Sequence, residues 1–403
     1  MNPFENWYGP SHIQFGAGSI RELPRHLERC DVSNVMLVTS SSVANLSSVM
    51  APVEDALDNY LIDVFSEVSI RKSADTVERA LRRIARQNID GLVSLGGGST
   101  VDIARAVSAV HDFDGDPRTL FACVRDDELV TPSVRGECLP VMAIPTTLSG
   151  AEVTCATGMN FDSTDGQREE SREGPIIDER LWPAAIAYDP ELAVSTPDSV
   201  IVSSGMNGFD HAIEMLYSQN GTPFTDATAK HGLSILAEAY PATVKEPTNT
   251  AARGRAMIGV ALGATGLIDP VSGPKYSLIH AFGHRFAQRY TVQQGYAHGV
   301  VAPSVLAYIF EHVDGKRDAL AEALGCRPKD TSPEGTAEAV VSSVRDIRDQ
   351  VGIPARLREL DGVERDHFPE FAAAITDDIG VRFGPPGLSP TSDQIEGVLE
   401  NAW

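Results

Sequence analysis

An α/β fold, a parallel-sheet domain followed by an all-helical one, is predicted by three observations. Short β-branched runs alternate with amphipathic helical patterns through the first half of the chain. Two of those runs end in small residues, GGGS and PTT, as strands do where they leave a parallel sheet. Beyond about Ala193 only helical periodicity continues. Strand–helix–strand repetition argues for a parallel sheet covered by helices on both faces, with ligands at the carboxyl ends of the strands.

In order, Asn34 to Ser40 (NVMLVTS) reads as a buried strand and Thr76 to Gln87 (TVERALRRIARQ) as a helix with one apolar face. Gly91 to Ser99 (GLVSLGGGS) is a strand closing on three glycines, and VDIARAVSAVH is the helix after it. Leu139 to Thr147 (LPVMAIPTT) is a further strand. The charged stretch from Phe161 to Glu179 is expected to project as a loop or hairpin, and Ala184 to Leu192 (AAIAYDPEL) is one more strand with its turn. Six helical patterns follow: GFDHAIEMLYSQ, DATAKHGLSILAEAY, AARGRAMIGVALGATGL, KYSLIHAFGHRFAQRY, AHGVVAPSVLAYIFEHV and GTAEAVVSSVRDIRDQV. The expected domains are residues 1–192 and 193–403, with the boundary between Pro190 and Thr196.

Composition excludes several classes. The 403 residues are 42% hydrophobic and 22% charged, with no apolar run long enough to span a bilayer. MNPFENWYGPSH has neither a basic start nor an apolar core, so no signal peptide is expected. Cys30, Cys123, Cys138, Cys155 and Cys326 form no CxxC pair, which fits a reduced, cytoplasmic protein without a zinc knuckle. The net charge of -23 disfavours nucleic acid and anionic membrane as partners and leaves a small molecule. Basic residues total 33, and lysine stands only at 72, 230, 245, 275, 316 and 329. This balance suits high salt, where screening relieves self-repulsion; a merely soluble acidic protein is the plainer reading.

The glycine turn carries the first chemical signal. Gly97, Gly98 and Ser99 join a strand to a helix, where a backbone without Cβ lets N–H groups approach a phosphate. Alone, GGGS reads equally as a tight strand-to-helix turn. PTTLSGAEVT tips the balance, because Thr146, Thr147 and Ser149 fall at the same sheet edge and complete a pyrophosphate and nicotinamide cradle. Asp102, inside the new helix, is either a helix-terminal charge or a neighbour of cofactor or substrate. The first strand ends in Thr39 and Ser40, followed by Ser41 and Ser42, where an NAD-preferring fold commonly has an acidic residue on the ribose. Nothing there repels a 2'-phosphate, and no arginine waits for it. Leu192, closing YDPEL, completes the candidate nucleotide contacts.

Of ten histidines, His12, His26, His111, His231, His312 and His367 stand alone and read as surface or packing residues. His211 lies four residues after Asn207, His280 and His284 are four apart, and His298 opens the AHG turn into a further helix. Residues four apart share a helix face, so these patterns predict one cleft lined by imidazoles drawn from two or three helices.

GGGSTVDIARA, IPTTLSGAEVT, YDPEL, GMNGFDHAIE, HAFGH and AHGVVAPSVL, in this order, resemble the iron-containing (group III) alcohol dehydrogenases, and FGAGSIRELPRHL resembles that family's opening hairpin. The resemblance spans nearly the whole chain. It implies a dinucleotide-binding domain, a helical domain, an active site between them, a homodimer, and hydride transfer between NAD(P)H and a carbonyl or alcohol. It places the family's metal ligands at Asn207, His211, His280 and His298, for iron or zinc. Asn207 departs from the usual Asp and weakens affinity for a cation. The motifs GMNGFDHAIE, PTTLSGAEVT and EGVLENAW are most similar to the maleylacetate reductase branch, which has Asn there, whereas His284 is similar to the metal-dependent alcohol dehydrogenases. Without a metal, His211, His280, His284 and His298 are the expected catalytic groups. Arg105, where the family pattern has Lys, keeps the charge and is expected to matter little. A sugar-phosphate cyclase and a non-enzymatic binding protein are the remaining alternatives.

Overall fold

Strands β1 (His12–Phe15), β2 (Val35–Ser40), β3 (Leu61–Val68), β4 (Gly91–Gly96), β5 (Val141–Pro145) and β8 (Ala185–Tyr188) form one sheet in the order β1-β8-β5-β4-β2-β3. Every pairing in it is parallel. The computed structural model describes residues 4–6, 9, 11–121, 123–125, 128–161, 172–290, 292–329 and 332–403. The central strands are apolar on both faces because both are covered, as the predicted α/β class requires. Val35, Leu37, Val93, Leu95, Met142 and Ile144 pack with Leu23 and Leu27 of α1 (Leu23–Arg29) and Val49 and Val53 of α2 (Ser47–Leu57). Met36, Val38, Leu92 and Val141 point the other way, onto Val77 and Ala80 of α3 (Ala74–Gln87) and Ile103 and Val107 of α4 (Gly98–Val110). Register places Gly96 opposite Pro145, so the GGGS and PTT ends are level at one edge of the sheet.

The charged stretch after β5 begins as the expected hairpin. Strand β6 (Ala156–Phe161) pairs antiparallel with β7 (Arg172–Ile177); residues 162–171 lie outside the described residues.

Two expectations fail here. FGAGSIRELPRHL forms no opening hairpin: β1 joins the sheet parallel to β8, and Gly16 and Gly18, both at positive φ, turn the chain straight into the helical segment that leads to α1. The strand ending in Thr39 and Ser40 is therefore the second in the chain.

The helices after Thr196 are α5 (Asp198–Tyr217), α6 (Pro223–Lys245), α7 (Thr250–Ala264), α8 (Leu278–Arg289), α9 (Gln294–His312), α10 (Arg317–Ala323), α11 (Pro333–Gln350), α12 (Phe368–Thr376) and α13 (Ser392–Ala402). His298 does not begin a turn, as the AHG sequence suggested, but lies inside α9. The glycines there serve packing: a Cβ on Gly295 would overlap the Ser203 carbonyl of α5. One compact unit holds the described residues within Tyr8–Thr147 and Ala151–Thr196; the other holds those within Pro197–Trp403 and Leu148–Gly150, with the described residues before Tyr8. No helix is long and apolar enough to cross a membrane, among the described residues.

Candidate active site

In the α/β unit, α4 starts immediately after β4. Gly96 adopts φ 135°, a conformation that disfavours any side chain, and no side chain caps the helix at Gly97. The first-turn N–H groups are thus left for an anion. The Thr147 methyl group stands 3.1 Å from where a Gly97 Cβ would sit, so the two predicted strand ends meet. Gly98 and Ser99 form the first turn of α4. Asp102, one turn further, is ion-paired with Lys72 at 2.9 Å, and its carbonyl accepts the Thr157 hydroxyl. Thr146 is buried, and its carbonyl accepts the Thr196 hydroxyl at 2.7 Å.

At the end of β2, Thr39 is buried and donates to the Leu95 carbonyl, which leaves Ser40 as the hydroxyl of that pair at the strand end. Ser40 caps the next helical turn, accepting from the Val43 N–H at 3.3 Å. Leu192 is buried in the sheet core beside α1 and α2.

Arg105 requires a correction. It is fully buried on α4, and its guanidinium donates to the carbonyls of Ala151, Glu152, Thr154, Ala156 and Leu181 and to the Thr154 hydroxyl. A fork with five N–H donors satisfies this set; an ammonium with three cannot.

In the helical unit, the predicted imidazoles do come together. His211 of α5 stacks on His280 of α8, with ring centroids 4.6 Å apart and planes 10° from parallel. His298 of α9 packs against His280 at 4.4 Å. His284 meets His280 edge-on at 6.2 Å, and Tyr276 contacts both at 6.1 Å. Asn207 donates its amide to the Ser149 carbonyl at 3.3 Å and lies 3.5 Å from His211 Nε2. Ser149 therefore serves this unit through its carbonyl.

Three carboxylates that sequence reasoning missed stand behind the rings. Glu214 Oε2 is 2.6 Å from His280 Nδ1. Asp210 Oδ2 is 3.3 Å from His298 Nδ1, and Asp378 Oδ2 is 3.4 Å from His284 Nδ1. Asp210 and Glu214 were legible as the acids around His211 in DHAIE, on a helix already assigned. Asp378 lies 94 residues from His284 and left no local signal.

Burial dominates the electrostatics. It lowers the His211 pKa well below the ordinary value, helped by the neighbouring His280 and His298. It brings His298 to about 3, against the pull of Glu214, and lowers His280, also against Glu214. All three rings are neutral near pH 7. Burial pushes the Glu214 carboxyl up, but His280 and the backbone N–H of Ser277 outweigh it and hold the group below its usual range. His284, with 36% of its side chain exposed, is the member that reaches solvent.

The implied metal is tested by this geometry. Neutral imidazoles are the right donors for a divalent ion. Yet His211 and His280 lie face to face, and the Asn207 amide group is turned toward His211 Nε2. No group of three His, Cys, Asp or Glu side chains is arranged to hold an ion, among the described residues. As arranged, these residues do not fit a resident metal.

Two family models match the two parts of the chain. The iron-containing alcohol dehydrogenase family matches residues 10–190, and the C-terminal domain of that family matches 201–403. Maleylacetate reductase 1 of Cupriavidus pinatubonensis is 25% identical over 405 residues, covering 100% of this chain and 98% of its own. The NAD-dependent methanol dehydrogenase of Bacillus methanolicus is 27% identical, covering 98% and 99%. A crystal structure of 1,3-propanediol oxidoreductase superimposes with a TM-score of 0.88 at 22% identity, covering 99% of this chain and all of its own. With a glycine turn at the sheet edge in one unit and a histidine cluster in the other, the chain belongs to the iron-containing alcohol dehydrogenase family and is a nicotinamide-dependent oxidoreductase acting on CH–OH and C=O groups.

Proposed function

We propose that the protein reduces the carbonyl of a small keto acid in the manner of a maleylacetate reductase, without depending on a resident metal. The observation that carries this reading is Asn207, whose neutral amide stands beside His211 where a carboxylate would recruit a cation. Reduction moves a hydride from C4 of the nicotinamide to the carbonyl carbon and a proton to the oxygen, giving the alcohol. The α/β unit holds the dinucleotide at Gly97, Gly98, Ser99, Thr146 and Thr147. The neutral imidazoles of the helical unit donate hydrogen bonds to the substrate oxygen, and the proton it takes up comes from water by way of His284. His284 is paired with Asp378 and open to water.

Metal-dependent oxidation of small alcohols is the second reading, and His284 favours it, since an imidazole at this position resembles the metal enzymes. Ser40 at the ribose end of β2 supports use of NADPH beside NADH. The net charge of -23 supports adaptation to high salt. The test is a spectrophotometric assay of NADH and NADPH oxidation with maleylacetate and with simple aldehydes, at low and molar salt, before and after chelation. Turnover of maleylacetate that survives chelation is expected. Turnover confined to aldehydes and abolished by chelation would overturn the reading.

A further inference from the structure

Lys72 is the only lysine before Lys230 in a chain of net charge -23. It follows β3, whose last residue, Val68, is level with Ser40 of β2. In the sheet β2 stands between β3 and β4. The Lys72 ammonium nevertheless reaches Asp102 on α4, the helix after β4, at 2.9 Å. Its side chain thus spans from the end of β3 to the helix that begins at the glycine turn. Arg105, the basic residue of α4 itself, is committed to buried carbonyls and cannot serve an anion there.

Three elements are shaped around this ammonium. Lys72 adopts φ 47°, a left-handed conformation that is costly for any residue with a Cβ, and its N–H closes the turn onto the Ser69 carbonyl. Gly158 of β6 leaves it room: a Cβ there would lie 3.1 Å from Nζ. The Thr157 hydroxyl donates to the Asp102 carbonyl at 2.7 Å and ties β6 to α4. Yet the pair is open, with 31% of the Lys72 side chain exposed. An ion pair this open adds little stability and does not by itself account for a strained loop and a cleared strand position. We infer that Lys72 binds the pyrophosphate of the cofactor, with Asp102 holding the ammonium beside the first turn of α4. Lysine meets phosphate as a point charge, and the contact adds to the N–H groups of the helix start. The pyrophosphate is common to NADH and NADPH, so Lys72 strengthens both alike, and the choice between them stays at the end of β2. The inference rests on the reading that the dinucleotide lies on the glycine turn.

The test is fluorescence titration of NADH and of NADPH into the full-length protein at one fixed salt concentration, with no substrate present. Lys72→Met is expected to weaken both cofactors about tenfold, and Lys72→Arg to recover most of the loss. Arg71→Gln removes an equal charge from the exposed neighbour and is expected to change either affinity by less than about twofold. Adding Asp102→Asn to Lys72→Met is expected to leave binding weak, because the phosphate still lacks its cation. Unchanged affinities in Lys72→Met overturn the proposal, and so does an equal loss in Arg71→Gln. A loss confined to NADPH overturns it by moving Lys72 to the 2'-phosphate. Full recovery on adding Asp102→Asn overturns it by showing that Lys72 only cancels that carboxylate. The placement of the dinucleotide is tested separately by Gly97→Val, whose side chain would crowd Thr147 and the phosphate. Unchanged binding in Gly97→Val defeats the glycine-turn reading; a loss there with none in Lys72→Met defeats only the role of Lys72.

Discussion

His280 Nδ1 lies 2.6 Å from Oε2 of Glu214, a buried carboxylate that also accepts the N–H groups of Ser277 and Ile279, each at 2.7 Å, and the Tyr217 hydroxyl at 2.9 Å. One side chain of α5 thus caps α8 and orients the imidazole that α8 carries. Glu214→Gln keeps the shape but turns an N–H group toward these donors. Loss of charged hydrogen bonds here is expected to cost about 3 kcal/mol, read by urea denaturation, and to lower activity with it. A variant of unchanged stability would show that the carboxylate is not the hub of this helix junction.

Acid sensitivity follows from His298. Its pKa falls from 6.5 to about 3 on folding, because burial disfavours the charged ring. Between these values the unfolded chain binds a proton that the folded chain refuses, so stability falls as pH drops below about 6.5. Asp210 and other raised carboxyls titrate in the opposite sense, so a comparison with His298→Gln isolates the imidazole. Between pH 6.5 and 5 the unmodified protein should lose about 1 kcal/mol per pH unit more than the variant. Parallel stability curves would mean that His298 is not buried neutral.

Arg105 supplies a test of structure alone. Its guanidinium ties α4 to five carbonyls in the segment 151–156 and at Leu181. Arg105→Lys keeps the charge and abandons several acceptors inside the core. The expected loss is about 2 to 4 kcal/mol in chemical denaturation. An unchanged midpoint would restore the view that charge alone matters at this position.

What was legible in the sequence had a local period or a local exception. β4 and β5 could be read because apolar runs end in GGG and PTT, and the shared face of Asn207 and His211 followed from their spacing. The opening segment misled because FGAGS looks like a turn between paired strands, whereas β1 finds its partner, β8, more than 150 residues away. His298 misled because a glycine beside it read as a turn signal, while Gly295 and Gly299 are small for the sake of close helix packing. Asp378 was invisible for the same reason that β8 was not predicted as the partner of β1: contacts across long stretches of chain leave no mark in a window of a dozen residues.

Cofactor choice is tested at Ser40. Its hydroxyl caps the turn after β2, and no acidic group stands there to reject a 2'-phosphate. Ser40→Asp retains a capping oxygen and adds the charge that favours a free ribose. The ratio of kcat/KM for NADH over NADPH should rise in the variant, on the order of tenfold or more for a charge near the phosphate. An unchanged ratio would place the ribose elsewhere.

The metal decides between the two functional readings, and Asn207 is where it is decided. The amide of Asn207 donates to Ser149 and lies beside Nε2 of His211, so an arriving cation must displace that contact and gains only a neutral oxygen in return. Asn207→Asp removes the N–H donor and supplies an anion beside three neutral imidazoles, which is a better donor set for zinc or iron. Purified unmodified protein is therefore expected to carry less than one ion per chain and to keep its activity in chelator. The Asp variant should hold its ion more tightly, by on the order of tenfold or more. Elemental analysis beside a chelator titration reads both. One tightly held ion per chain in the unmodified protein, with activity lost on its removal and restored on its return, would mean that the imidazole stack opens around a cation despite the asparagine, and the substrate would then be sought among simple alcohols.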